Sequence, residues 1–238
     1  MIAEIYNKIS STGSNLTERL EDQLTGNFFG SLRYLPFDCG IKSILQKAAF
    51  PVSLLDCIDN VSLNEWADKI YFWGDCRYDG TEPDVIIELD NTVILIEVKL
   101  DSGVGENQLE REAELLLQRY SHCDNKFLIL LACELYAEGI YEEYEKAIKS
   151  KGVEFGYITW QKALAVLNGI TIADLFQKVI VSDLVELMIK KGFDVFRCVD
   201  EDLPTINPKD YWGVSSALLF KFGFEYVEEI GGDLYYEF

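Results

Sequence analysis

The chain has 238 residues, 49% of them apolar, and a formal charge of −20 from 21 basic and 41 acidic side chains. That length and apolar fraction suffice for one sizeable hydrophobic core, and no run of about 18 apolar residues is available for a membrane-spanning helix. The charge opposes tight, nonspecific binding to nucleic acid, because phosphate contacts need local Lys and Arg. It suits a site that gathers divalent cations.

The opening stretch, MIAEIYNKISSTGSN, lacks the charged-then-apolar layout of a secretory signal. Cysteines stand at 39, 57, 76, 123, 133 and 198 with no close pair, which argues against a zinc ribbon and against a cysteine-held iron–sulfur cluster. Reduced, buried thiols in a cytoplasmic protein are the expectation.

Taken in order, residues 15 to 35 put Leu20, Leu24, Phe28, Leu32 and Leu35 at helical spacing, and Pro36 ends the run. Residues 41 to 58 read as helical or irregular. Ser62 and Glu65 form a capping box for a short helix before a strand in IYFWGDCRY. Two apolar strands follow in PDVIIELDNTVILIEVK (83 to 99), then the loop DSGVGEN. A helix from about 106 to 120 carries Leu109, Ala113, Leu116, Leu117 and Tyr120 on one face. FLILLAC (127 to 133) is a strand, IYEEYEKAIKSKG a helix ending at Gly152, EFGYITW a strand, and 161 to 168 and 171 to 192 are helical. The tail, YVEEIGGDLYYEF, reads as a hairpin around Gly-Gly.

The expected fold is α/β: a mixed central sheet flanked by helices, in α-β-β-β-α-β order. Residues 1–168 form the core, and 169–238 form a helical and hairpin extension packed on it.

Register brings the charges together. With Asp90-Asn91 as a two-residue turn, a composition that tolerates positive φ, Leu89 faces Thr92, Ile87 faces Ile94, and Asp84 faces Glu97. Side chains alternate along a strand, so Lys99 shares the face of Glu97. Val85, Ile87, Leu89, Ile94, Ile96 and Val98 take the other face, which is core. Opposed carboxylates about 5 Å apart repel unless neutralised. One lysine cannot neutralise two acids, and a hard divalent cation can. The three residues therefore build a metal site at a strand end.

Pro83-Asp84 and Glu97-Val98-Lys99, in that element order, resemble the PD-(D/E)XK nuclease superfamily, which has the restriction-endonuclease-like fold. The resemblance covers roughly residues 15 to 160 and leaves the tail unexplained. It implies a Mg²⁺-dependent nuclease, with Mn²⁺ a substitute and DNA the expected substrate, in restriction, defence or repair. It also implies that Asp84, Glu97 and the Val98 carbonyl bind the metal. An acid on the first helix is common in such families. Glu18 and Glu21 compete for that role, and Glu21 is preferred because it lies on the packed side with Leu24 and Phe28 while Asn15 and Glu18 make a capping box. Gln108 matches a helix glutamine of some families; Glu112, one turn on, is a weaker candidate.

Lys99 would orient or deprotonate the attacking water and stabilise phosphate charge. Lys42, Lys47, Arg77 and Arg111 are candidates for a basic rim. His122, the single histidine, reads as a loop or C-cap residue; the tryptophans and tyrosines read mostly as core, and although Trp73 and Tyr78 flank the strand leading to the site, contact with substrate is the minor reading. The rival expectation is a catalytically silent protein of the same fold, whose acidic 200 to 238 region (nine acids against Lys209 and Lys221) meets a protein partner or a second copy. No membrane partner is expected.

Overall fold

The computed structural model describes residues 16–47, 53–59, 66–100 and 103–194. The chain divides into two units, Met1–Val195 and Phe196–Phe238, and every described residue belongs to the first. Asn15, the Ser62–Glu65 box, Cys198, the acidic tail and its Gly-Gly hairpin lie outside the described residues.

Helix α1 (Leu16–Leu32) follows the apolar stripe of the sequence. Leu24, Phe28 and Leu32 are buried, and Leu20 packs beside them. Leu35 lies past the helix end but is still buried, and its carbonyl accepts from Trp66 Nε1 at 2.7 Å. Helices α2 (Ile41–Leu45) and α3 (Ser53–Asp59) and a 3-10 turn at Trp66–Lys69 lead to β1.

β1 spans only Ile70–Phe72, shorter than the strand expected over IYFWGDCRY. Trp73 takes φ 35° and opens a 3-10 turn, Trp73–Asp75. Positive φ at so bulky a residue is incompatible with continuing the strand.

β2 (Val85–Leu89) and β3 (Thr92–Val98) pair antiparallel, with Leu89 opposite Thr92, Ile87 opposite Ile94 and Val85 opposite Ile96. The expected register holds. The turn is made differently, since neither Asp90 nor Asn91 takes positive φ. The Asn91 side chain fixes it instead, donating to Asp124 Oδ2 at 2.7 Å and accepting from the Asp124 N–H at 3.0 Å. Tertiary contact replaces backbone twist as the source of register.

Helix α4 (Gln108–Arg119) carries the chain to β4 (Asn125–Ala132), and α5 (Glu134–Ser150) to β5 (Glu154–Thr159). Helix α5 starts before the expected Ile140. The Cys133 carbonyl closes its first turn on the N–H groups of Tyr136 and Ala137, both at 3.0 Å, while Leu135 and Tyr136 stay exposed and hide the amphipathic pattern. Helices α6 (Trp160–Gly169) and α7 (Leu175–Lys190) follow. Thr159 and Asp174 cap them through Lys162 N and Gln177 N, caps worth about 1 kcal/mol each.

The sheet order is β1-β2-β3-β4-β5, antiparallel across β1, β2 and β3 and parallel across β3, β4 and β5. This is an α/β protein with an open, mixed five-stranded sheet covered by helices on both faces. One face, including Ile87, Ile94, Ile96 and Ile129, packs on residues of α1, α2, α3, α6 and α7. The other, including Ile86, Val93, Leu95 and Leu128, packs on α4 and α5. The helical part of the C-terminal extension contributes Leu184 and Met188 to the first of these layers. Parallel strands buried on both faces read as continuous apolar runs, as β3 and β4 do.

Candidate active site

At the C-terminal end of β3 the second, helix-covered face ends in Glu97, which is 2% exposed. A charge so placed demands partners. Glu97 Oε1 lies 2.7 Å from Lys99 Nζ and 2.5 Å from Gln108 Nε2. Glu97 Oε2 has no partner.

Asp84 precedes β2, in register to face Glu97. Its oxygens are both met by donors, Oδ1 by Trp73 Nε1 at 3.0 Å and Oδ2 by the Val98 N–H at 2.9 Å. Trp73 is buried, in keeping with the core reading of the tryptophans, and its indole lies against Asp84. Tyr78 is 38% exposed.

Lys99 is held from several directions. Its N–H donates to the Leu131 carbonyl at 2.8 Å, and its carbonyl accepts from Trp160 Nε1 at 3.0 Å. Trp160 is itself stacked on Phe193, with ring centroids 5.0 Å apart, so the strand end is tied to the deep core. Lys99 Nζ reaches Glu21 Oε1 at 3.4 Å, and Glu21 Oε2 accepts from the Leu100 N–H at 2.9 Å. The first-helix acid brought to the site is thus Glu21.

Gln108 opens α4 after Asn107, which takes φ 52°. Its Oε1 accepts from the Gly105 N–H at 3.1 Å, which turns the amide NH₂ toward the acids. The same Nε2 donates to Glu97 Oε1 and, at 3.2 Å, to Glu112 Oε1. Glu112 is 1% exposed, and its Oε2 has no partner. Glu112 shares the apolar stripe of α4 with Leu109, Ala113 and Leu116, a placement legible in the sequence, where a carboxylate needs a reason.

Four acids thus surround one lysine. Burial first, then the Glu97 charge, pushes the Asp84 carboxyl well above the usual carboxylate range; Lys99 and the Val98 N–H only partly offset this. Burial and then Glu97 do the same to Glu112. Asp84 keeps some surface in solvent, whereas Glu112 is fully enclosed. Burial lowers the pKa of Lys99, but Glu97, Glu21 and Asp84 together outweigh it and the net shift is upward. In the absence of a metal, the surrounding acids thus favour the ammonium form of Lys99.

Among the described residues, no three Asp, Glu, His or Cys side chains converge as a ready cage for a metal ion. The donors still suit a hard cation, being oxygens only, with an excess of negative charge and a buried Glu97 oxygen left unpaired. By the test of charge and unsatisfied oxygen, the residues fit Mg²⁺.

The expected basic rim is mostly engaged already. Lys42 pairs with Asp38 at 3.0 Å, Arg77 with Glu82 at 3.6 Å, and Arg111 Nη1 donates to the Glu106 carbonyl at 2.7 Å. Lys47 is exposed and, with Lys162, lines a groove of about 650 Å³ between α2 and α6, which none of the four acids enters. His122 lies in the turn after α4, its Nε2 3.3 Å from Glu88 Oε1 and away from the acid cluster. Cys76 and Cys123 are buried; Cys39, Cys57 and Cys133 are only partly so, and the Cys133 thiol donates to the Leu100 carbonyl at 3.2 Å. Among the described residues no helix is long and apolar enough to cross a membrane.

Comparison of the chain with models of known protein families and with curated proteins finds no match.

Proposed function

We propose that the chain is a divalent-metal-dependent nuclease of the PD-(D/E)XK type, with a restriction-endonuclease-like core, hydrolysing phosphodiester bonds in DNA. The observation that carries the reading is the meeting of Glu97, Lys99, Glu21 and Gln108 around the end of β3, with Asp84 fixed opposite by two N–H donors. These groups come from a helix, two strand ends and a second helix, and no packing need of an apolar core explains them.

Asp84, Glu97 and the Val98 carbonyl would hold Mg²⁺, with Glu21 as an outer ligand. When bound, Mg²⁺ supplies Lewis-acid polarisation of the phosphate and a more acidic water. The protein's own groups do the rest. Lys99, kept protonated by its acids, stabilises negative charge growing on the phosphoryl oxygens. Gln108 fixes the orientation of Glu97, and Glu21 holds Lys99 and the Leu100 backbone in place. Asp84, immobilised by Trp73 and Val98, costs no reorganisation as charge develops.

The catalytically silent reading has one observation in its favour: three of the four expected rim cations are already engaged within the chain. The deciding experiment is cleavage of a panel of duplex DNA, single-stranded DNA and RNA with Mg²⁺ or Mn²⁺, beside Lys99→Ala. Metal-dependent cleavage lost in Lys99→Ala supports the nuclease. No cleavage of any substrate by the parent supports the silent protein.

A further inference from the structure

Lone-pair accounting across the four acids separates them into two kinds. Asp84 has an N–H donor on each oxygen, and Glu21 has Lys99 on one oxygen and the Leu100 N–H on the other. Glu97 and Glu112 each have one engaged oxygen and one bare one, and these two residues are the more deeply buried, at 2% and 1% exposed. A buried carboxylate oxygen without a donor is costly to leave unmet, so its persistence calls for an occupant. The two acids are neighbours, because a single nitrogen, Gln108 Nε2, donates to Oε1 of both. Glu112 makes no ion pair among the described residues, while Lys99 is already divided between Glu97 and Glu21.

We propose that Glu112 is a ligand of the divalent cation, joined to Glu97 through their two unpaired Oε2 atoms. This rests on the reading of the cluster as a metal site and adds to it a carboxylate from α4. The chemistry matches a small hard ion, which takes one or two carboxylates and retains waters. Gln108 then has a definite task. Its Oε1 is tied to the Gly105 N–H, so its NH₂ occupies Oε1 of both glutamates and leaves the two Oε2 atoms for the ion. Rival occupants, a shared proton or a bridging water, would fill the same gap without making Glu112 matter to metal affinity.

The test is Mn²⁺ binding to the full chain, followed by calorimetry and by loss of the free-ion paramagnetic resonance signal. The variants are Glu112→Gln, Glu112→Asp, Asp84→Ala and, as a control on the same helix, Glu110→Gln. Glu112→Gln is nearly isosteric, and its amide can donate to Glu97 Oε2, so the metal-free protein should melt at or above the parent temperature. We expect its Mn²⁺ affinity to fall at least tenfold and the melting rise caused by Mn²⁺ to vanish. Glu112→Asp should lie between, and Glu110→Gln should match the parent. Parent-like Mn²⁺ affinity in Glu112→Gln, with Asp84→Ala defective, would overturn the role of Glu112 alone. Absence of binding by the parent would overturn the metal site and this ligand together.

Discussion

Trp73 and Asp84 are joined twice: the indole Nε1 donates to Oδ1 at 3.0 Å, and the Trp73 N–H donates to the Asp84 carbonyl at 3.3 Å. The tryptophan pays for this contact with φ 35°, a conformation costing on the order of 1–3 kcal/mol at a bulky residue. Such strain persists when surrounding contacts over-determine it, and here they also fix one candidate catalytic carboxylate. Trp73→Phe should lower stability by about 2 kcal/mol through lost packing and the lost indole bond. Metal-dependent cleavage should fall by more than that loss explains at temperatures where the variant is fully folded. Melting curves and kcat measured on the same preparation check this, and an unchanged kcat would leave Trp73 a packing residue only.

Lys99 gives a sharper contrast. Its side chain is 10% exposed and touches Glu97 and Glu21, so Lys99→Met removes the cation that the two acids share. Breaking a buried pair from one side typically costs about 3–5 kcal/mol. We expect cleavage to be abolished, stability to drop by roughly that amount, and added Mg²⁺ to restore much of the stability without the activity. Denaturant titration with and without Mg²⁺ tests it; a variant as stable as the parent would refute the ion-pair account.

The raised carboxyl pKa values of Asp84 and Glu112 set a sign for pH dependence. Above the ordinary carboxylate range the unfolded chain has released these protons and the folded, metal-free protein retains them. The folded state binds more protons there, so its stability decreases as pH rises toward the folded-state pKa, by up to about 1.4 kcal/mol per pH unit per retained proton. Lys99 adds the opposite group: raised above its unfolded value, it contributes fully at neutral pH and loses that contribution only in strongly alkaline solution. Metal-free protein should therefore melt higher at pH 5 than at pH 7.5, and Asp84→Asn should flatten the difference. A slope unchanged in Asp84→Asn and Glu112→Gln would show that other groups carry it.

Phosphate contacts must come from cations not already engaged. Lys47 and Lys162 line the groove between α2 and α6 and make no ion pair among the described residues, whereas Arg77 is paired with Glu82. If DNA follows that groove, Lys47→Ala and Lys162→Ala should each reduce the slope of log affinity against log salt by roughly one. Arg77→Ala should change it little. Binding isotherms over a salt series distinguish the two.

The hairpin register was legible because a two-residue loop and period-two alternation leave a single alignment, and that alignment put Asp84 opposite Glu97. Glu21 was legible for a related reason, a carboxylate on the apolar stripe of its helix. Glu112, on the apolar stripe of α4, carries the same signal. Trp73 could not be read this way: IYFWGDCRY has the composition of a longer strand, and only the packed tertiary environment forces positive φ there. The engaged state of Lys42, Arg77 and Arg111 was equally hidden, since their partners depend on local loop geometry.

The clamp on Lys99 has a bearing on when the protein can act. Its carbonyl is held by Trp160 and its neighbour's N–H by Glu21, residues far behind and far ahead of it along the chain. During synthesis, a chain whose Trp160 is still inside the ribosome has Asp84, Glu97 and Lys99 but cannot lock the lysine in position. On the nuclease reading, the strand end that carries Lys99 takes its full set of contacts only once α6 has docked.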